Sequence, residues 1–411
     1  MIPLLRNHLG GLPSIYWYVW GGTLINRLGG FVVPFLALYL TDQVGLPIST
    51  AGKIAALYGL GSLMAGLVGG TVSDRFGRKP TLVLGLGIGS VAMLGLGLST
   101  QLTWIGLCTF GVGFFSDLSR PAVSAIISDV VPPADRARAY GLLHWAVNIG
   151  FSVAPLIAGY LATRNYLALF VADALTTFAY ACFVLFKVPE TRPMSLHVRP
   201  PLFKNLAAPL GDRNFLAFGL LGFLLALVFF QFEAALPIDM RVHGVQPDQY
   251  GALIAINGIL IAVLQPFSSG WVARFRRSRV LAASAVLFGV GFGLPALMPT
   301  VTIFALGIVI WTLGEILNSP ISQAIVADLA PEQSRGSYQG ALQVVWGAAF
   351  FLAPALGTWV LEWHGGRTLW IGCLLLGLAV AGAHLVIAGP RRRRVAQLRL
   401  QTPGQVSVAD D

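Results

Sequence analysis

Six ionisable residues stand inside long apolar stretches of the chain: Arg27, Asp117, Arg120, Asp173, Glu233 and Glu315. An ionised side chain away from water is costly, so each must be paired, bathed by a polar cavity, or able to change its protonation. A carboxylate placed this way can take up a proton from one aqueous phase and release it to another. That chemistry needs no nucleophile, metal or cofactor, and the sequence points to none of these. Cys108, Cys182 and Cys373 all sit in apolar stretches and form no paired metal or redox spacing. No Ser/His/Asp or metal-ligand constellation emerges, and no Gly-x-x-x-x-Gly-Lys-Ser/Thr phosphate loop occurs. No catalytic residue is expected, and the chain is not expected to be an enzyme.

The elements that must carry these charges follow from composition. The chain has 411 residues, of which 56% are hydrophobic and 11% charged, against about 25% charged in a soluble domain. Mean hydropathy is +0.75. Apolar runs of membrane-spanning length, without the period-2 alternation of barrel strands, predict an all-α polytopic membrane protein. Twelve spans are expected, over 14–40, 48–72, 80–99, 102–127, 137–161, 165–187, 214–238, 249–271, 279–298, 300–326, 336–361 and 366–388. Arg27, Asp117 and Glu315 then fall near the middle of the first, fourth and tenth spans. Glu233 lies nearer the end of the seventh, and Asp173 near the start of the sixth, where packing or a lipid-facing position is expected.

With twelve spans, the basic loops gather on one side: Arg75, Arg78 and Lys79; Arg136 and Arg138; Lys187 to Arg213; Arg274 to Arg279; Arg335; and the tail Arg391 to Arg399. The other side has only Arg164, Arg241 and Arg367. Positive loops favour the cytoplasm, so both termini are expected there. The formal charge of +10 is explained by these loops and implies no nucleic-acid partner. The "GPRRRRVAQLRL" tail reads as a membrane-surface anchor. "MIPLLRNHLGGLPS" does not read as a cleaved leader.

The sequence repeats at an offset of 199. "DVVPPADRARAYG" aligns with "DLAPEQSRGSYQG", Pro121 with Pro320, Ala154-Pro155 with Ala353-Pro354, and Gly52 and Gly59 with Gly251 and Gly258. Two parallel six-helix halves are therefore expected: 1–187 and 214–390, joined by a linker over 188–213 and followed by a basic tail over 391–411. Parallel halves place a site at their interface.

The stretch "GGTVSDRFGRKPT" between the second and third spans resembles the signature loop of the major facilitator superfamily. Gly70, Asp74, Arg75, Gly77, Arg78 and Lys79 fill its Gly-x-x-x-Asp-Arg-x-Gly-Arg-Lys/Arg form. The resemblance in topology covers essentially the whole chain. It implies a latch that holds the outward-facing state, with Gly70 and Gly77 allowing close approach and a tight turn. The counterpart "GWVARFRRSR" keeps Gly270 but has Arg274 where Asp74 stands. Gly150, Ala154, Pro155 and Gly159 resemble the superfamily's fifth-helix antiporter motif, with Ala154 and Ala158 in place of two glycines; helix packing explains them equally well.

In that superfamily the first, fourth, seventh and tenth helices line the central cavity, and five of the six buried charges lie on those helices. The resemblance extends to twelve-helix bacterial drug and small-molecule proton antiporters. It implies a monomeric transporter in a bacterial inner or plasma membrane, exchanging protons for an amphipathic substrate. Symport or uniport of a polar metabolite, sugar or peptide is the alternative. Glu233, Glu315 and Asp117 are the expected proton-coupling groups. Arg27, Asn26, Gln231, Phe232, His144, Asn148, Asn257 and Trp346 are the expected substrate-cavity residues.

Overall fold

The computed structural model describes residues 11–192, 207–272, 274–331 and 334–400. Most of the 188–213 linker, and the end of the tail, lie outside the described residues. Among those described the secondary structure is entirely helical. Eleven stretches are long and apolar enough to cross a membrane. The last, Ser337–Val386, contains Gly365 at φ +80° and ψ 161°. An unbroken helix of that length would run about 75 Å, more than twice the hydrocarbon thickness. Gly365 turns the chain back at this point, so the count agrees with twelve crossings.

The first span is not one helix. It comprises α1 (Ser14–Leu28) and α2 (Val32–Leu38), continued by a π turn over Tyr39–Gln43. The freed amides of Phe31 and Val32 both donate to Asp173 Oδ2, at 3.1 Å. Asp173 lies on α7 (Tyr166–Lys187) and is 5% exposed. It therefore does not face lipid: it caps the second half of the broken helix, where the amides have no intrahelical partner. Between these elements run α3 (Ile48–Phe76), α4 (Arg78–Leu98), α5 (Leu102–Val130) and α6 (Arg136–Ala162).

After the short α8 (Ala207–Gly211), the seventh span breaks likewise. It comprises α9 (Arg213–Phe229), a 3-10 turn over Phe230–Glu233, and α10 (Ala235–Val242) beyond the non-helical Ala234. Then follow α11 (Pro247–Val272), α12 (Arg277–Gly293), α13 (Val301–Leu329), the bent α14 (Arg335–Val386) and α15 (Ala388–Leu400).

Small residues and prolines set the seams between the halves. A side chain at Gly52 would meet Thr358 and the Pro354 carbonyl, and one at Gly59 would meet the backbone of Phe350 and Phe351. At the repeat-related positions, Gly251 lies against the Pro155 carbonyl and Gly258 against Ser152. The α3–α14 and α6–α11 seams thus use the same device twice. The antiporter-like fifth-span motif is one face of such a seam.

Burial shows which end of the molecule is closed. On the arginine-poor face one apolar core joins both halves, from Phe35 and Tyr39 through Ala158 to Leu236, Tyr250 and Trp370. On the arginine-rich face the cores separate: one, around Tyr16, Leu86 and Ile126, lies in the first half; the other, around Phe218, Leu281 and Val326, lies in the second. The closed face also carries cross-half polar ties. Arg241 Nε donates to Asp42 at 2.7 Å across a separation of 199 residues. That separation equals the repeat offset, so repeat-related residues meet each other there. The Ser49 amide donates to Glu362.

The tail does not simply lie on a membrane surface. Arg391 is buried, donates to Ser278 Oγ at 2.7 Å and stands over the Phe218 ring. Burial, with Arg277 and Arg392 alongside, pulls Arg391 down to about 10. Arg394 pairs with Asp212, the N-cap of α9, at 3.4 Å. Only Arg392 and Arg393 of this run point to solvent.

Candidate functional site

The broken spans and the middle of α5 bring Arg27, Asp117 and Glu233 within electrostatic reach of Arg120, and Glu315 stands on α13. Asp117 is 6% exposed and receives the Ser62 hydroxyl from α3. Arg120 Nε lies 2.9 Å from Asp117 Oδ1, yet the Arg120 side chain is 57% exposed. Such exposure in mid-span marks the open space between the halves. Arg27 ends up close by: Arg120, Asp117, Tyr58 and Asp173 are within its electrostatic reach. Its Nε is buried without a hydrogen-bond partner. Gly150 permits this placement, since a side chain there would strike the Arg27 backbone.

The second half answers with carboxylates. Asn257 Nδ2 donates to Glu315 Oε2 at 2.9 Å and lies 3.0 Å from Thr312 Oγ1. The pairing of Ser62 with Asp117 between the second and fourth spans thus recurs as Asn257 with Glu315 between the eighth and tenth. Glu233 ends the 3-10 turn and shares a small enclosed space with Val33, Leu36, Ala55, Tyr58, Phe350 and Pro354. That space lies on the seam, so Glu233 faces groups from both halves. Among the described residues, neither Glu233 nor Glu315 has a Lys or Arg ion pair.

Several expected cavity residues point elsewhere. Asn26 donates to Thr177 at 2.8 Å and belongs to the α1–α7 contact. Gln231 is 5% exposed, with its amide nitrogen on the Leu227 and Ala353 carbonyls. Phe232 stacks on Trp311 at 6.0 Å inside the shared core. The physical reason is the 3-10 turn, whose tighter winding gives 231 and 232 to neighbouring helices and leaves 233 on the seam. His144 is exposed, Asn148 is half-buried, and Trp346 is half-buried against Phe229 and Phe230. Sequence reasoning missed Tyr58 and Ser62. The available signal was Tyr58 itself, which sits at the repeat equivalent of Asn257.

At the end of α3, Gly77 adopts φ +108°, which favours glycine, and both ends α3 and precedes α4. Arg78 is buried, paired with Asp74 and, at 3.2 Å, with Asp129. Glu190 accepts from the Arg78 and Lys79 amides at 2.9 and 3.2 Å, and Arg192 donates to the Arg75 carbonyl at 2.6 Å. These contacts lie within the first half and tie in the start of the linker. In the second half Arg277 pairs with Asp328, the 199-offset equivalents of Arg78 and Asp129. The repeat survives there although, at the same offset, Ala273 stands where Asp74 does and Arg274 matches Arg75. Gly70 makes no close approach in this conformation, because nothing lies where its side chain would be.

Two helical halves, a polar seam and repeat-related spans around it define a polytopic membrane transporter. The Major Facilitator Superfamily profile matches residues 19–242 and 218–407, and the chain belongs to that family. It is 26% identical over 373 residues to a "Na(+), Li(+), K(+)/H(+) antiporter" of Planococcus maritimus, covering 81% of this chain and 86% of the relative. It is 25% identical over 363 residues to the multidrug resistance protein MdtH of Yersinia enterocolitica, covering 84% and 86%. Among solved structures, a POT family transporter in complex with 5-aminolevulinic acid superposes with a TM-score of 0.80 at 15% identity, covering 93% of this chain and 98% of that one. A D-xylose-proton symporter superposes at 0.69 and 16% identity, covering 89% and 94%. These two similarities speak for the fold alone.

Proposed function

We propose that the protein is a proton-coupled exporter of amphipathic small molecules, working by alternating access. The observation that carries this reading is the placement of Glu233 and Glu315. Glu233 lies on the seam between the halves with Arg120 in electrostatic reach, Glu315 is held by Asn257, and neither forms a Lys or Arg ion pair among the described residues. Such groups bind a proton when enclosed and release it when solvated. The relatives named as an antiporter and as a multidrug resistance protein agree with exchange and efflux. The distribution of Lys and Arg supports an orientation with both termini in the cytoplasm of a bacterial cell and the arginine-poor face outside. In that orientation the structure is the inward-facing state.

In this reading residues 1–187 and 214–390 rock as units about the α3–α14 and α6–α11 seams, and the Asp74 cluster governs the inner closure. Asp117, held by Ser62 and Arg120, supports the cavity charge, while Arg27 awaits a carboxylate or a substrate anion. Proteoliposomes with an imposed pH gradient and a panel of dyes, peptides and sugars test the assignment. Proton-driven exchange of dyes is expected, whereas co-directional uptake of a peptide or sugar would establish symport instead.

A further inference from the structure

On the arginine-rich face the two halves treat one repeated feature differently. In the first half, Glu190 follows the sixth span and accepts from the Arg78 and Lys79 amides at 2.9 and 3.2 Å. These are the first amides of α4, and such amides have no partner within their own helix. Their repeat equivalents, at the offset of 199, are Arg277 and Ser278, the first two residues of α12. The equivalent of Glu190 is Gly389, which offers no carboxylate. The helix α12 runs for 17 residues and has no side-chain cap.

A cation stands at this helix start. Arg391 is 6% exposed, and its Nη2 donates to Ser278 Oγ at 2.7 Å, in the first turn of α12. Its Nη1 is buried with no hydrogen-bond partner. Arg277 and Arg392 are both within electrostatic reach of it. The acidic residues that meet neighbouring arginines are already engaged: Asp328 by Arg277, and Asp212 by Arg394 and Tyr338. A buried guanidinium, two further arginines and the positive end of a helix repel one another. An anion among them satisfies Arg391 Nη1 and the first amides of α12 together. The exposed apolar side chains of Leu385 and Val386 end the twelfth span just before this point. The seat therefore lies at the edge of the apolar belt, at the depth of lipid headgroups.

We propose that Arg391 and the first turn of α12 form a phosphate-binding seat, filled by the headgroup of an anionic phospholipid. The phosphate oxygens accept from Arg391 Nη1 and from the α12 amides, and do for the second half what Glu190 does for the first. Occupancy ties α15 to α12 and so fixes the tail on its own half. Inorganic phosphate offers the same oxygens without the acyl chains. The proposal goes beyond the transport reading and does not depend on it.

The test uses full-length protein, delipidated in detergent, with native mass spectrometry to count bound lipid. Dioleoyl phosphatidylglycerol is the probe, dioleoyl phosphatidylcholine its zwitterionic counterpart and inorganic phosphate its soluble one. A single phosphatidylglycerol should be held more tightly than phosphatidylcholine. Arg391→Gln should weaken it at least about tenfold, the scale of one charged hydrogen bond. Arg393→Gln removes the same charge from a side chain exposed to solvent and should leave binding unchanged. Gly389→Glu guards against a folding defect in the Arg391 variant. A side chain at 389 meets nothing within 4 Å, and its carboxylate should exclude the lipid while Arg391 stays in place. Displacement of the lipid by inorganic phosphate at equal occupancy would identify soluble phosphate as the occupant of the same seat. Equal retention of the two lipids, equal losses in Arg391→Gln and Arg393→Gln, or undiminished binding in Gly389→Glu would overturn the proposal and leave the arginines a diffuse charged surface.

Discussion

Asp173 and Arg27 are both charges buried in the membrane, yet the structure gives them different work. Asp173 satisfies two amides at the break in the first span. Hydrogen bonds to a charged group are worth about 1.5–3 kcal/mol each. Asp173→Ala should therefore lower stability by roughly 3–6 kcal/mol on that scale, read by thermal unfolding in detergent. Asp173→Asn should leave the pH dependence of transport unchanged; a displaced pH optimum would make Asp173 a coupling residue. Arg27 has no such structural partner at Nε. If it binds an anionic substrate group, Arg27→Ala should lose anionic substrates selectively and Arg27→Lys should restore part of the loss. A uniform loss for cationic and anionic substrates with a shifted pH optimum would assign it to coupling, and unaltered transport of both would remove it from the site. Sequence reading found these charges because burial of an ionisable residue is visible in the hydropathy of its neighbours. It did not find the role of Asp173, since the amides it caps lie more than 140 residues away. Nor did it separate Glu233 from Gln231 and Phe232, because that depends on a 3-10 turn with no glycine or proline to announce it.

At the scale of elements, the seams were more legible than the breaks. Gly52, Gly251, Pro155 and Pro354 stood in repeat register, and the structure joins them in pairs. Gly29 and Gly30 marked one break, whereas the equivalent break at Ala234 carried no such residue. Gly251→Val should obstruct the α6–α11 seam at the Pro155 carbonyl and shift the population toward outer-open states. Gly222→Ala, where a side chain meets nothing, is the control. Distances across the outer face measure both, and equal closure in the two variants would refute the seam's role. The loop after α3 acts at the opposite end. Asp74→Asn weakens the tie to Arg78, and a charged hydrogen bond of about 1.5–3 kcal/mol corresponds to roughly a ten- to hundredfold change in a two-state ratio. Slower transport and an altered inward-to-outward ratio are expected, with substrate affinity nearly unchanged. Wild-type rates and distances in that variant would leave the cluster with topology alone.

For the molecule as a whole, the shared core at one face and the divided cores at the other fit one end of the proposed rocking cycle. The two halves approach each other through repeat-related positions, down to the Asp42–Arg241 pair at the repeat offset itself. The twofold plan was readable because it is written in local motifs spaced evenly along the chain. The conformation was not, since either state uses the same residues. What drives the change of state is the central claim, and it rests on Glu233 and Glu315. The most direct measurement is substrate flux in proteoliposomes across an imposed pH gradient, for the wild type, Glu233→Gln and Glu315→Gln, with substrate exchange at equal pH alongside. Gradient-driven flux should be lost in each variant while the protein stays folded and ungated exchange persists. Gradient-driven flux at the wild-type rate and with the wild-type pH dependence in both variants would contradict proton coupling through these carboxylates.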